Sequence, residues 1–333
     1  EAGSIDYIVY GYMNRGIHEG TVGFAVYHYD SLANTNEEQV FIPSSQSYEV
    51  MKSELGQLMY VTESGAFYIM VDGNVYGIDL NSLDTKVLVE GLSDEAVAIS
   101  ESNRFLAWVG PSAVRGSDTI HMIDFVTEKV TDVTGSASDY VKPLGFMQED
   151  FVYGVAKSAD VVVDAAGNTL FPMYQVKIMD TSSEEHEILK TYEKPGYYVQ
   201  NITISGYTIY LNRIQNNGTA YVDADQDMIM NREGDSLKVV DIATKNTDEK
   251  ETQVLITLQD EAKKKTPKIL TPKETILEQK REVSLKEEKD NNRYYVYVKG
   301  EVVLTTDSVS DAIIAANSQM GVVIGENQQY VWK

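Results

Sequence analysis

A short pattern recurs four times along the chain: an apolar or β-branched strand that closes on aspartate, a polar turn, and a second strand. It reads Val75-Tyr76-Gly77-Ile78-Asp79-Leu80, then Ile120-His121-Met122-Ile123-Asp124-Phe125. It returns as Gln175-Val176-Lys177-Ile178-Met179-Asp180 and as Leu237-Lys238-Val239-Val240-Asp241-Ile242. The aspartates at 79, 124, 180 and 241 are spaced by about 45, 56 and 61 residues. Repeats of roughly 40–50 residues have the size of a four-stranded propeller blade. An aspartate at a strand end also binds the amides of the turn that follows it, so a structural role is expected for all four.

A second pattern precedes each copy: strand, tight turn, strand. Examples are Leu58–Val61 with Phe67–Met70, Val97–Ile99 with Phe105–Trp108, and Leu144–Phe146 with Phe151–Tyr153. Ile202–Ile204 with Tyr207–Tyr210, and Ile313–Ala315 with Val322–Ile324, extend the series. Together the two patterns predict an all-β chain, a β-propeller of four-stranded antiparallel blades. Second strands are expected to begin near residues 5, 66, 105, 150, 206, 278 and 321, which counts seven blades, with six as the alternative. The whole chain, 1–333, is expected to form one propeller domain with a charged insertion at about 259–292. Further insertions are expected at 110–118, 158–169 and 215–235. Helical periodicity is confined to Glu274–Lys289.

Stacking blades radially buries both faces of each sheet and leaves only short edges, so the architecture is self-consistent. With 43% hydrophobic residues the chain can fill such a core. Its charge, 28 Lys+Arg against 51 Asp+Glu, is −23, which repels phosphates and excludes a duplex nucleic-acid binder. The absence of cysteine excludes disulfides, thiolate metal sites and cysteine nucleophiles. No segment has the roughly 18–20 apolar residues needed to span a bilayer. The chain starts at Glu1 rather than Met and ends in a strand-like Tyr330-Val331-Trp332, so a piece of a longer, exported protein is expected.

The hydrophobic–Asp–turn blades resemble the broad group of bacterial WD40-like propellers with degenerate repeats. The run Tyr7-Ile8-Val9-Tyr10-Gly11-Tyr12-Met13-Asn14-Arg15-Gly16, with His18-Glu19-Gly20 and Ala25-Val26-Tyr27, is similar to uncharacterised surface proteins of clostridial gut bacteria. The resemblance implies a cell-surface or cell-envelope location and carries no activity with it. The chain lacks the Trp-Asp strand endings, Gly-His pairs and kelch double glycines of the named propeller classes.

The sharpest local feature is Asp223-Ala224-Asp225-Gln226-Asp227. Carboxylates at positions 1, 3 and 5 open a calcium loop, so Asp223, Asp225 and Asp227 are the candidate Ca2+ ligands; Met228 and Gly234 stand where an EF-hand needs Gly and Glu. The alternative is a solvated acidic loop. No His-Glu-x-x-His, Gly-x-Ser-x-Gly or phosphate-binding glycine loop occurs. Sialidase-type Ser-x-Asp-x-Gly boxes are missing, as are the many tryptophans of quinone-binding propellers. The expected function is therefore a non-catalytic binding or scaffolding module of a larger cell-surface protein, monomeric, with a protein or glycan ligand. The alternative is a propeller-type glycan hydrolase with two or three carboxylates at the channel mouth, roughly 5–10 Å apart.

Overall fold

The computed structural model describes residues 4–44, 58–93, 96–110, 116–163, 169–230, 240–247, 250–258, 271–277, 281–285, 293–325 and 330–333. The chain is built of antiparallel meanders in sequence order. β1 (Ser4–Tyr12), β2 (Val22–Asp30) and β3 (Thr35–Pro43) begin the first sheet. β4 (Met59–Val61), β5 (Ala66–Val71), β6 (Asn74–Asp79) and β7 (Thr85–Val89) make the second, in that order. β8 (Val97–Ile99), β9 (Phe105–Trp108), β10 (Thr119–Asp124) and β11 (Lys129–Thr134) make the third. The fourth begins with β12 (Asp139–Met147) and β13 (Asp150–Lys157). A small hairpin, β14 (Val162–Val163) and β15 (Thr169–Leu170), interrupts it before β16 (Met173–Met179) and β17 (Ile188–Glu193) complete it.

β18 (Tyr198–Ser205), β19 (Thr208–Asn216) and β20 (Tyr221–Met230) form a fifth meander, touching the fourth sheet through one bridge, Met173 opposite Val199. β21 (Val240–Thr247) and β22 (Lys250–Leu258) pair with each other. β23 (Glu274–Ile276) returns to the first sheet and runs parallel to β3. β24 (Tyr294–Val298), β25 (Glu301–Thr306), β26 (Val322–Gly325) and β27 (Tyr330–Trp332) form a last sheet, with α1 (Val309–Gln319) between β25 and β26.

The first five sheets stack face to face in sequence order, and strand periodicity shows why. On β5, Phe67, Ile69 and Val71 point into a cluster with Phe24, Val26, Val40 and Ile42 of the first sheet. Their neighbours Tyr68 and Met70 point the other way, into a cluster with Leu106, Ile123 and Phe125 around the third sheet. On β13, Phe151, Tyr153 and Val155 meet Phe105, Ala107 and Met122 of the third sheet, while Val152 and Ala156 meet Val199, Ile209 and Leu211 of the fifth. Successive strand residues face opposite sides, so a strand covered on both sides reads as a continuous apolar run. Each fully buried phenylalanine contributes about 1.5–3 kcal/mol by leaving water.

Three expectations need correction. The stretch 215–235 is not an insertion up to residue 230. Asn217 Oδ1 accepts from the amides of Thr219 (3.0 Å) and Ala220 (2.9 Å), and Gly218 has φ +93°, so the chain reverses and β20 folds back on β19. The fourth repeat copy, at Val240–Ile242, therefore pairs in a separate hairpin instead of as a third strand. The run Ile313–Ala315 is helical. Ser308 caps it, its Oγ accepting from the Asp311 amide at 3.3 Å, and Ala312 and Ala316, one turn apart, pack against Val296 and Val323. The helical pattern expected over Glu274–Lys289 gives way, where described, to β23 and to extended backbone on the first sheet.

Of the expected second strands, those near 66, 105, 150 and 206 open β5, β9, β13 and β19. The one near 5 is the outer strand β1, the one near 321 is third in its sheet, and Glu278 lies outside the described residues. No described sheet closes on itself. Among the described residues no helix is long and apolar enough to cross a membrane.

Candidate binding cleft

The repeat aspartates are turn ligands. Asp79 Oδ1 accepts from the amides of Asn81 (2.7 Å) and Ser82 (3.1 Å), and Asp180 Oδ1 from that of Ser182 (2.8 Å). Asp124 accepts from the Val126 amide (2.9 Å) and pairs with Arg104. Asp30, outside the sequence pattern as read, does the same with Leu32 (2.7 Å) and Ala33 (3.0 Å). Amide donation holds the carboxyls of Asp30 and Asp79 below the usual range. The side chain of Asp241 lies outside the described residues.

Among the described residues two carboxylates are buried, and each is satisfied locally. Glu38 is 1% exposed, with His18 Nε2 at 2.7 Å and the Tyr27 hydroxyl donating at 3.0 Å; the imidazole stacks on Phe41 at 3.7 Å. Asp139 is held by Lys157 (2.6 Å), Tyr174 (3.0 Å) and Ser136. Glu38 stands in the first sheet and Asp139 in the fourth.

The calcium candidates stand on a strand instead of a loop. Asp227 is turned toward Arg213 (3.0 Å), Lys194 (3.6 Å) and the Tyr192 hydroxyl (3.0 Å), and accepts from the Met228 amide. These donors, the Met228 amide foremost, hold its carboxyl below the usual range. Arg213, only 7% exposed, also donates to the Asp225 carbonyl and stacks 4.3 Å over Tyr197. Asp223 and Asp225 remain exposed. Among the described residues no three His, Asp or Glu side chains converge as a metal site. Asn231, Glu233 and Asp235 lie outside the described residues. Calcium added to chelator-treated protein is expected to give no saturable heat up to roughly 1 mM, because the third carboxylate is committed to Arg213 and Lys194. Saturable heat that disappears in Asp225→Asn would restore the site.

The same strand continues into a cleft of about 560 Å³ between the outer strands β17 and β20 of the fourth and fifth sheets. Its floor is Met147, Ile178 and Ile229, all buried. Its rims carry Leu189 from β17 and Met228 and Met230 from β20, all exposed. Asp150, Lys190 and Tyr192 supply the polar groups. Burial, with help from Asp180 and Glu149, pushes the Asp150 carboxyl up, so it gains from a neighbouring cation.

The corresponding grooves between earlier sheets are smaller and bridged. Between the second and third, about 270 Å³, Glu128 accepts from Tyr68 (2.5 Å) and Lys86 (3.2 Å). Between the third and fourth, about 110 Å³, Thr131 meets His186 at 3.2 Å and Lys129 pairs with Glu184 at 3.6 Å. The cleft was not legible in the sequence because one of its rims, β20, fell in the stretch 215–235 read as an insertion. The one signal was the pair of methionines flanking Ile229.

Fold and cleft together define an all-β protein of stacked, mostly four-stranded antiparallel sheets with an open apolar groove between two of them. No family model matches the chain, and a search of curated proteins returns no match. The solved structures it is similar to include WD40-repeat and β-propeller proteins. One is the set of RRP9 WD40 repeats, at 14% identity and TM-score 0.27, covering 50% of this chain and 50% of that one. Another is the β-propeller domain of the Trilobed protease from Pyrococcus furiosus, at 13% identity and TM-score 0.28, covering 77% and 74%. The tricorn protease follows at 15% and 0.31, covering 65% and 23%. The chain thus spans half the length of the RRP9 repeats. Scores this low assign neither a superfamily nor an activity.

Proposed function

We propose that this chain is a non-catalytic binding module of β-propeller type, part of a larger protein on the outside of a bacterial cell, with its ligand in the cleft between β17 and β20. In this reading the stacked sheets are consecutive blades of a seven-bladed ring. The observation that carries it is the size of this groove, about 560 Å³ against about 270 and 110 Å³ between the earlier sheets, over a floor of Met147, Ile178 and Ile229. Such a concave apolar site with a few polar groups is the usual form of a ligand seat. The buried carboxylates Glu38 and Asp139 each have a full set of partners, which favours binding over hydrolysis.

The test has two arms. Surface labelling of intact cells with a membrane-impermeant amine reagent is expected to modify the chain; labelling only after lysis contradicts the placement. Incubation with wall glycans is expected to release no reducing sugar. Release that Glu38→Gln abolishes would replace the binding module with a hydrolase.

A further inference from the structure

The geometry points to the free edge of β20 as the place where an extended, basic peptide adds as the fourth strand of the fifth sheet. This deepens the binding-module reading and rests on it. The second, third and fourth sheets each have a fourth strand, β7, β11 and β17. The fifth has three, and among the described residues β20 pairs with β19 alone. A ten-residue edge strand without lysine or proline offers backbone donors and acceptors to an incoming strand, apart from the Asp225 carbonyl held by Arg213 and the Met228 amide held by Asp227.

Charge selects the occupant. Asp223 and Asp225 are exposed and have no ion-pair partner among the described residues, unlike Asp227. They oppose pairing with a second copy of β20, since like charges facing each other across a strand pair destabilise it. They favour a ligand strand carrying Lys or Arg. The other end of β20 is apolar, with Met228 and Met230 each 53% exposed at the cleft and Leu189 opposite. Methionine adapts to varied apolar side chains. The matching ligand is therefore basic in one half and apolar in the other.

The experiment uses a labelled ten-residue peptide with three lysines in one half and valine and leucine in the other, made in both chain directions. Fluorescence anisotropy is read on the full chain. Saturable binding is expected in one direction, weakened at least about tenfold by Asp223→Lys with Asp225→Lys and by Met228→Glu. Glu63→Lys with Glu90→Lys, on the second sheet, is expected to change it less than about twofold. A peptide N-methylated at alternate amides is expected to lose binding. Equal binding of the N-methylated peptide, or equal effects of the two lysine pairs, overturns strand addition. No binding of either peptide overturns this inference alone, as does a glycan bound at the cleft in its place. Surface labelling and sugar release report on the module reading separately.

Discussion

Val283→Asp is expected to detach residues 281–285 from the first sheet and to destabilise the fold by about 3–5 kcal/mol, the usual cost of an uncompensated buried charge. Val283 is 6% exposed and packs between the first and second sheets, with Leu285 beside it. Its amide donates to the Phe41 carbonyl at 2.9 Å, and the Phe41 amide donates to the Arg281 carbonyl at 2.8 Å. Arg281 adds bonds from Nε to the Gln39 carbonyl (2.6 Å) and from Nη2 to the Leu80 carbonyl, so it ties both sheets. Together with β23 and the bond from Asn34 Nδ2 to the Thr271 carbonyl, this segment covers the edge of β3. Hydrogen exchange should show the amides of Phe41 and Val283 losing at least about a hundredfold of protection while Ile69 on β5 stays protected. Unchanged protection at both amides would contradict the docking.

Asp139→Ala is expected to cost about 2–4 kcal/mol. The carboxylate is buried and leaves three donors behind, from Lys157, Tyr174 and Ser136. The figure lies below that of a fully buried pair because Lys157 is half-exposed and regains water. Burial by itself would raise the Asp139 carboxyl, but the bonds from Lys157, Ser136 and Tyr174 outweigh it and hold it low. The folded state thus depresses this group. Its contribution is present above the unfolded value of about 3.9 and is lost as pH falls through the lower, folded value. Urea midpoints of the parent and Asp139→Ala should differ by a constant amount near neutrality and converge below about pH 4. A gap that persists unchanged to pH 2 would show that packing, and not charge, accounts for the cost.

The parts of the fold written in short-range chemistry were legible in the sequence. Strands β4–β6, β8–β10, β12, β13 and β16 stand where the apolar runs and Asp-closed turns put them, because Asp79, Asp124 and Asp180 bind the amides that follow. The misreadings occur where a local signal competed with another. Ile313 and Ile314 favour a strand, but the Ser308 cap and the alanine spacing favour a helix that can pack on Val296. The aspartates at 223–227, read as part of an insertion, stand on β20 because the Asn217 turn folds the chain back; the spacing that opens a calcium loop is also the alternation of a strand, and the calcium titration tests the site itself. The docking of residues 271–277 and 281–285 was invisible because it joins positions some 240 apart, as in Asn34 with Thr271, inside a stretch whose charge reads as solvated. The cleft is a product of two strand edges meeting, which no single window of sequence records.

Consecutive sheets stack in order, and the first is completed by a distant strand. The chain has no cysteine, so one engineered pair tests this without interference. Thr35 and Glu274 are direct partners in the parallel register of β3 and β23, and neighbouring strands lie about 4.8 Å apart, within disulfide reach. Thr35→Cys with Glu274→Cys, oxidised under native conditions, should form an intramolecular crosslink nearly completely, seen as a mobility shift that reducing agent reverses. Oxidation in concentrated guanidinium should give little. If the native protein forms no more crosslink than the unfolded chain, the returning strand is not where this structure places it.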